Sequence, residues 1–291
     1  MGRASSVRVT VLIDNTTHYE GPILAENGLS LLIEAESKGS TIRVLLDTGL
    51  TGDTLINNCK ELGINLSQVD AVVISHNHYD HTGGLLKVLD KIKKPVPVIM
   101  HPDVFRPKYA ILPSLGINKL TYTGPPYARN RVEEKEGILV LSRDSVPIGE
   151  NVMTTGEITR KTSFEKLEGF YVIKGGSFKR DSLPDDQALL VNTDEGLVII
   201  TGCGHSGVIN TIIHAMEITN AEKICAVIGG FHLIDATEKK IDETISELKR
   251  INPEIIAPMH CTGFKAKKKI SDVLPSAFRE LYCGDRLEIP Y

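Results

Sequence analysis

Three histidines and an aspartate share one hexapeptide, His76-Asn77-His78-Tyr79-Asp80-His81, directly after the apolar run Ala-Val-Val-Ile at 71–74. In an extended segment residues two apart leave the same face, so His76 and His78 point one way. The chain then turns before Thr82-Gly83-Gly84 and a helix, which lets Asp80 and His81 aim at a second point. Neutral imidazole nitrogens and a carboxylate suit Zn²⁺ or iron, with open positions left for water. The bland reading is a polar loop of solvated histidines, and four donors within six residues at a strand's end weigh against it.

Other candidates are more scattered. His205 lies in Gly202-Cys203-Gly204-His205, where the glycines allow a sharp bend. The Cys203 thiol is a candidate ligand, since thiolate binds zinc well, although it seldom bridges two hard hydrolytic metals; otherwise it is a small buried residue at a strand end. His232, after Gly229-Gly230-Phe231, also ends a strand and is a candidate substrate contact or proton shuttle. His260 follows Ala257-Pro258-Met259, and Cys261 beside it reads as packing. The run Lys265-Ala266-Lys267-Lys268-Lys269 reads as a solvated face, and the pair Asp185-Asp186 as exposed acids. Neither a P-loop nor a Ser-His-Asp arrangement with nucleophile-elbow spacing is present.

The His-x-His-x-Asp-His motif resembles the signature of the metallo-β-lactamase superfamily. Leu45-Leu46-Asp47-Thr48-Gly49, Ile200-Thr201-Gly202-Cys203 and Ala257-Pro258-Met259-His260 resemble its other motifs, in the right order. Gly-Cys-Gly-His, Gly-Gly-Phe-His and Pro-Met-His-Cys-Thr-Gly look more specifically like the 7,8-dihydropterin-6-methyl-4-(β-D-ribofuranosyl)-aminobenzene-5′-phosphate synthase-like subgroup. The resemblance implies an α/β fold, a four-layer αββα sandwich, with a dinuclear site between the sheet edges. Carried over, it puts His76 and His78 on one metal and Asp80, His81 and His260 on the other. Asp80 would also hold the attacking hydroxide, and Asp47 would support the His-rich loop from behind. The chain departs from the family pattern twice: Cys203 replaces the usual bridging Asp, and no separate histidine motif lies between 82 and 204. His205 is therefore expected as the third ligand of the first metal. Two zinc ions per chain are implied, with iron or manganese as alternatives. The implied activity is metal-dependent hydrolysis of a phosphoester, lactone or related small molecule. The alternatives are pterin-related ribosyl-phosphate synthase chemistry and a non-enzymatic binding protein with a degenerate site.

The elements that must position these residues can be read from periodicity. Strands are expected at 7–13, 29–35, 41–47, 71–75 and 96–100, with helices at 53–62 and 84–92. After a hairpin- and loop-rich stretch at about 102–185, with β runs at 138–142 and 170–174, alternation returns. A hairpin at 188–192 and 197–201, a helix at 208–216, a strand at 223–228, a helix at 240–251, a strand at 255–258 and a helix at 272–281 complete it. Residues 1–291 read as one domain in which the middle stretch shapes the substrate pocket. Its Arg106, Lys108, Tyr109, Arg129 and Arg131 are expected to attract an anionic small-molecule substrate.

The chain has 291 residues with 33 Lys and Arg against 37 Asp and Glu, a net charge of −4 that argues against nucleic acid. Hydrophobic residues at 41% and charged ones at 24% are globular values. No apolar run approaches a membrane span and no signal-peptide core opens the chain. Five scattered cysteines fit reduced thiols, hence a cytoplasmic location. The oligomeric state has no signal in the sequence.

Overall fold

Successive strand side chains face opposite ways, so the burial of alternate residues reveals what covers each face of a sheet. In the computed structural model, which describes residues 1–289, Leu31, Ile33, Val44, Leu46 and Val73 pack with Leu189, Val191, Val198, Ile200 and Ile228. Their alternates Leu32, Leu45 and Val72 pack instead with Leu55, Cys59, Leu85 and Val88. The sheet is therefore covered on both faces, by a second sheet and by helices.

That first sheet has seven strands, in the order Arg286–Ile289, Ser6–Ile13, Ser30–Ser37, Ser40–Leu46, Ala71–Val73, Val96–Met100 and Gly137–Leu141. The second has five: Ile255–Met259, Ile224–Gly230, Gly196–Thr201, Ala188–Thr193 and Val152–Thr154. Helices Asp53–Glu61 and Leu85–Ile92 lie on the outside of the first, and Val208–Thr219, Glu238–Ile251 and Phe264–Val273 on the outside of the second. Four layers result, helix–sheet–sheet–helix, the αββα sandwich that the motifs imply.

Strand direction then selects the functional edge. Ser40–Leu46, Ala71–Val73 and Val96–Met100 run parallel, as do Gly196–Thr201, Ile224–Gly230 and Ile255–Met259. Parallel strands finish at a common edge, where α/β proteins place their ligands. Asp47, the His76–His81 segment, Cys203, His205, His232 and His260 all follow the C-terminal ends of these strands.

The stretch expected to be hairpins and loops contains a third sheet of four strands, Ser177–Arg180, Phe170–Lys174, Lys108–Leu112 and Ile117–Tyr122. Pro113 and Gly116 interrupt the alternation between two of them, which hides the pattern in the sequence. Lys108 anchors this sheet. Its ammonium is buried between Asp185, to which it donates, and Asp181 at 3.3 Å, and Asp185 Oδ2 accepts from Asn77 N at 2.9 Å.

The helix expected at 272–281 is a correction: the last helix is Phe264–Val273, and residues beyond it lead to strand Arg286–Ile289, paired with Ser6–Ile13. Pro275 disfavours helical geometry at the residue before it, so the apolar residues past 273 do not continue the helix. The buried face is carried by Ala266 and Ile270, while Lys265, Lys268 and Lys269 form ion pairs with Glu238, Asp242 and Asp272.

Replacing Lys108 by Met should cost about 3–5 kcal/mol in a urea titration, because it strands the Asp185 charge in the interior. Adding Asp185→Asn, which keeps an acceptor for Asn77 N–H, should recover at least ~1 kcal/mol. Strictly additive losses in the double variant would disprove the pairing.

Candidate metal centre

Asp47 is buried, with backbone in the left-handed region at φ 59°. Its Oδ1 accepts from Ser75 N at 2.7 Å, and its Oδ2 from Ser75 Oγ at 2.6 Å and His81 Nδ1 at 2.7 Å. These bonds decide two tautomers. Ser75 spends its one hydroxyl proton on Asp47, so its oxygen accepts from His76 Nδ1 at 2.9 Å and leaves His76 Nε2 bare. His81 donates through Nδ1, which turns its Nε2 inward.

His76 Nε2 lies 3.0 Å from His78 Nδ1, which lies 3.1 Å from His205 Nε2. All three rings are buried, and burial holds their pKa values far down, that of His78 to about 3. Three neutral imidazoles thus turn nitrogens on one point. A proton on His78 Nδ1 serves His76 but not His205, and one on His205 serves His78 but not His76; one cation satisfies all three.

A second convergence lies beside it. His81 Nε2 and His260 Nε2, from residues 179 apart in sequence, approach to 3.3 Å. Asp80 Oδ2 is 3.5 Å from His260 Nε2 and 3.9 Å from His81 Nε2. His260 is oriented from behind, its N–H donating to Asp14 Oδ1 at 2.7 Å and its Nδ1 meeting Asn15 Oδ1 at 2.6 Å. Burial opposes the charge on Asp80, but His81, His260 and His78 outweigh it and its pKa is lowered. Burial likewise opposes a charged His81, and Asp47 and Asp80 overcome it, raising that imidazole to about 9.

Cys203 Sγ sits between the two convergences. It is 3.2 Å from His81 Nε2, within 4.8 Å of donors on His76, His205 and His260, and burial pushes its thiol pKa up. Gly202 makes this approach possible: a Cβ there would stand 2.0 Å from Ser75 Oγ and 2.8 Å from Asp47 Oδ2. Gly204 turns the chain at φ 68° so that His205 faces inward. His232, at φ 45°, has its ring 4.2 Å from that of His205 and lines the same cavity.

Four supporting residues escape a reading of the sequence. Asp185 and Asp186, expected to be exposed, are buried. Asp185 holds Asn77 between two of the histidines, and Asp186 Oδ2 accepts from Ser206 N at 2.6 Å beside His205. Asp14 and Asn15 orient His260. The usable signal was their position just past or just before a strand, where acids and amides bond the neighbouring loop backbone.

The cavity at this edge holds about 400 Å³ and is lined by Asp80, His78, Cys203, His205, His232 and His260 together with Ala110, Leu112, Leu115, Ile117, Phe170 and Ile234. Residues of the middle stretch line this cavity, among them Ala110, Leu112 and Phe170, but among the described residues its cations do not. Lys108 is buried on Asp181 and Asp185, Arg106 pairs with Asp103, Arg129 with Glu133 and Arg131 with Glu134, while Tyr109 packs on Tyr122 and Phe178.

Residues 24–156 match the family model of the metallo-beta-lactamase superfamily. The chain is 35% identical, over 98% of its length and 97% of the relative's, to the 7,8-dihydropterin-6-methyl-4-(beta-D-ribofuranosyl)-aminobenzene-5'-phosphate synthase of Methanocaldococcus jannaschii. A crystal structure of a metal-dependent hydrolase of the beta-lactamase superfamily is 30% identical, covers 98% of this chain and 100% of its own, and superposes with a TM-score of 0.80. Zinc-bound PqqB from Methylobacterium extorquens shares the fold at a TM-score of 0.56 with 11% identity, over 97% of this chain and 100% of that one. By sequence over nearly its full length and by fold, the chain belongs to the metallo-β-lactamase superfamily.

Proposed function

We propose that this chain is a metal-dependent hydrolase of a small-molecule phosphoester or lactone, with His76, His78 and His205 holding one ion and Asp80, His81 and His260 the other. The observation that carries the reading is the convergence of inward nitrogens whose outer partners, Ser75, Asp47 and Asn15, fix their orientation. Cys203 completes the set from between the two. A donor set of imidazoles, one carboxylate and one thiol suits zinc, with iron or manganese the alternatives. Bound there, such ions polarise the scissile bond and lower the pKa of a water toward neutrality. The chain's own part is to hold these donors rigid, to orient the attacking water through Asp80, and to present His232 to the substrate. The reduced thiols of Cys203 and Cys261 at the centre fit a cytoplasmic location.

A second reading, condensation in place of hydrolysis, is favoured by the relative that is named a synthase. The two are separated by incubating metal-replete protein with a panel of phosphodiesters and lactones. In parallel, the aryl ribosyl-phosphate half of that relative's named product is supplied with a pterin half that carries a leaving group on its methyl carbon, and mass spectrometry looks for the joined molecule and the released group.

Purified protein should carry one to two equivalents of zinc, iron or manganese, and less than about 0.2 after metal-replete expression would end the metalloprotein reading. His76→Ala should lose most of the metal. Asp80→Ala and His260→Ala should keep the first ion while kcat falls ~10²-fold or more, since orientation and activation of the water are lost together. Full metal content and full activity in His260→Ala would remove it from the centre.

Cys203 is tested separately. Cys203→Ser should lower zinc affinity, and Cys203→Asp, which restores a carboxylate, should raise hydrolytic turnover. Unchanged metal and turnover in both variants would make it a packing residue.

The two ions should also differ in pH dependence. The first three imidazoles are neutral at pH 7, so the first ion displaces no proton from them. His81, raised to about 9, carries a second proton on Nε2 below that pH, and the other ion must displace it. Affinity for the second equivalent should therefore fall as pH drops below about 9, with proton release seen by calorimetry in buffers of different ionisation enthalpy. Measured in Cys203→Ser, so that the thiol adds no proton of its own, equal proton release for both equivalents contradicts the assignment.

A further inference from the structure

The cavity has two unlike sides. One carries the candidate ligands, with Phe170 packed on the rings of His78 and His205; the other is formed by Ala110, Leu112, Leu115, Ile117 and Ile234, beside Tyr79 and Thr123, and among the described residues no Lys or Arg lines the cavity. Leu115 and Ile234 stand at its mouth 38% and 48% exposed. Apolar surface held open to water costs roughly 25 cal/mol per Å², a cost removed when a ligand covers it. An anionic group placed against the same wall loses hydration and meets no cation in return.

This wall is built to stay in register with the metal side. Leu233 N and Ile234 N both donate to Cys261 O, at 3.1 and 3.0 Å, tying that rim to the residue after His260. Gly263 keeps the rim close: a Cβ on it would lie 2.8 Å from Ile234 Cα. The other rim continues from the strand bearing Lys108, which Asp185 links to Asn77 between His76 and His78. Across the mouth, Ser114 Oγ donates to Asp235 Oδ2 at 3.2 Å, joining the segments that present Leu115 and Ile234.

We propose that Leu112, Leu115, Ile117 and Ile234 form a specificity subsite for a neutral, largely apolar group of the substrate, and that this subsite excludes a phosphate or carboxylate at that end. The inference rests on the cavity being the active site, as argued above. Any negative charge on the substrate then belongs at the ligand side, where the reacting bond sits, or in solvent.

The test uses metal-loaded protein and two matched fluorophores, neutral N-phenylnaphthylamine and its anionic analogue anilinonaphthalenesulfonate. Wild type should bind the neutral probe. Leu115→Lys and Ile234→Lys, both at partly exposed positions that tolerate charge, should each weaken it ~10-fold or more and tighten the sulfonate, with metal content unchanged. Neutral-probe affinity that neither substitution alters overturns the subsite. So does a change in sedimentation without a change in probe affinity, which means that a second copy of the chain covers this face. Failure of the metal assignment reads out differently, as absent metal in wild type, and leaves the probe result standing.

Discussion

Asp47 holds through a single carboxylate oxygen, Oδ2, two imidazoles that belong to opposite ends of the His76–His81 segment, while its Oδ1 fixes Ser75 N. One is reached directly at His81 Nδ1 and the other through Ser75, whose hydroxyl relays the orientation to His76 Nδ1. Each ring is thereby left with its inner nitrogen turned toward the cavity, one toward each candidate ion. The same turn is held again by Thr48, whose N and Oγ1 both donate to His81 O at 2.8 and 2.9 Å. The left-handed backbone of Asp47 and the missing side chain at Gly202 are the local costs of bringing these groups together.

Around that contact the supports repeat one device: an acid at a strand end accepts from the backbone of the next loop. Asp14 does so at His260 N, Asp185 at Asn77 N and Asp186 at Ser206 N. Burying such acids is costly, and the cost is met differently in each case. Lys108 neutralises Asp185, which stays ionised with a lowered pKa even though burial pulls it upward. Asp186 lacks so close a cation, and burial raises it to about 6. Both neighbours hold their loops, yet only the paired one also ties the third sheet to the histidine segment.

What the sequence made legible followed from local rules. Residues 71–74 read as a buried strand, and a strand's alternation made His76 and His78 partners before any fold was known. The αββα layering came from the resemblance, and the split of alternate residues such as Leu45 and Leu46 between two clusters agrees with it. Long-range chemistry was not legible. Nothing at Asp185-Asp186 signals burial, because the burying partner, Lys108, is 77 residues away. Lys108 itself reads as a pocket cation for an anionic substrate until it is seen to be buried on Asp181 and Asp185. The final helix was misplaced because apolar spacing continued through Pro275 while the backbone could not.

The two proposed reactions, hydrolysis and condensation, would both displace a leaving group and would differ in the acceptor, water in the first and a second organic molecule in the second. The cavity's shape bears on this choice. Its ligand side, with Asp80, Asn15 and Asn27, offers polar atoms that a water can use, while the wall of Leu112, Leu115 and Ile117 offers none. In the proposed subsite, a substrate group filling the apolar side would remove water from that direction and leave the polar side as the route of attack. The reaction outcome then depends on what else fits between Asn15, Asn27 and Asp80. If a small cleft remains there, water is the acceptor. If the apolar group is itself part of the acceptor, condensation, the second proposed reading, would be the outcome. Membership of the superfamily is common to a relative named a synthase and to a structure called a hydrolase, so the acceptor is a matter of what the cavity admits.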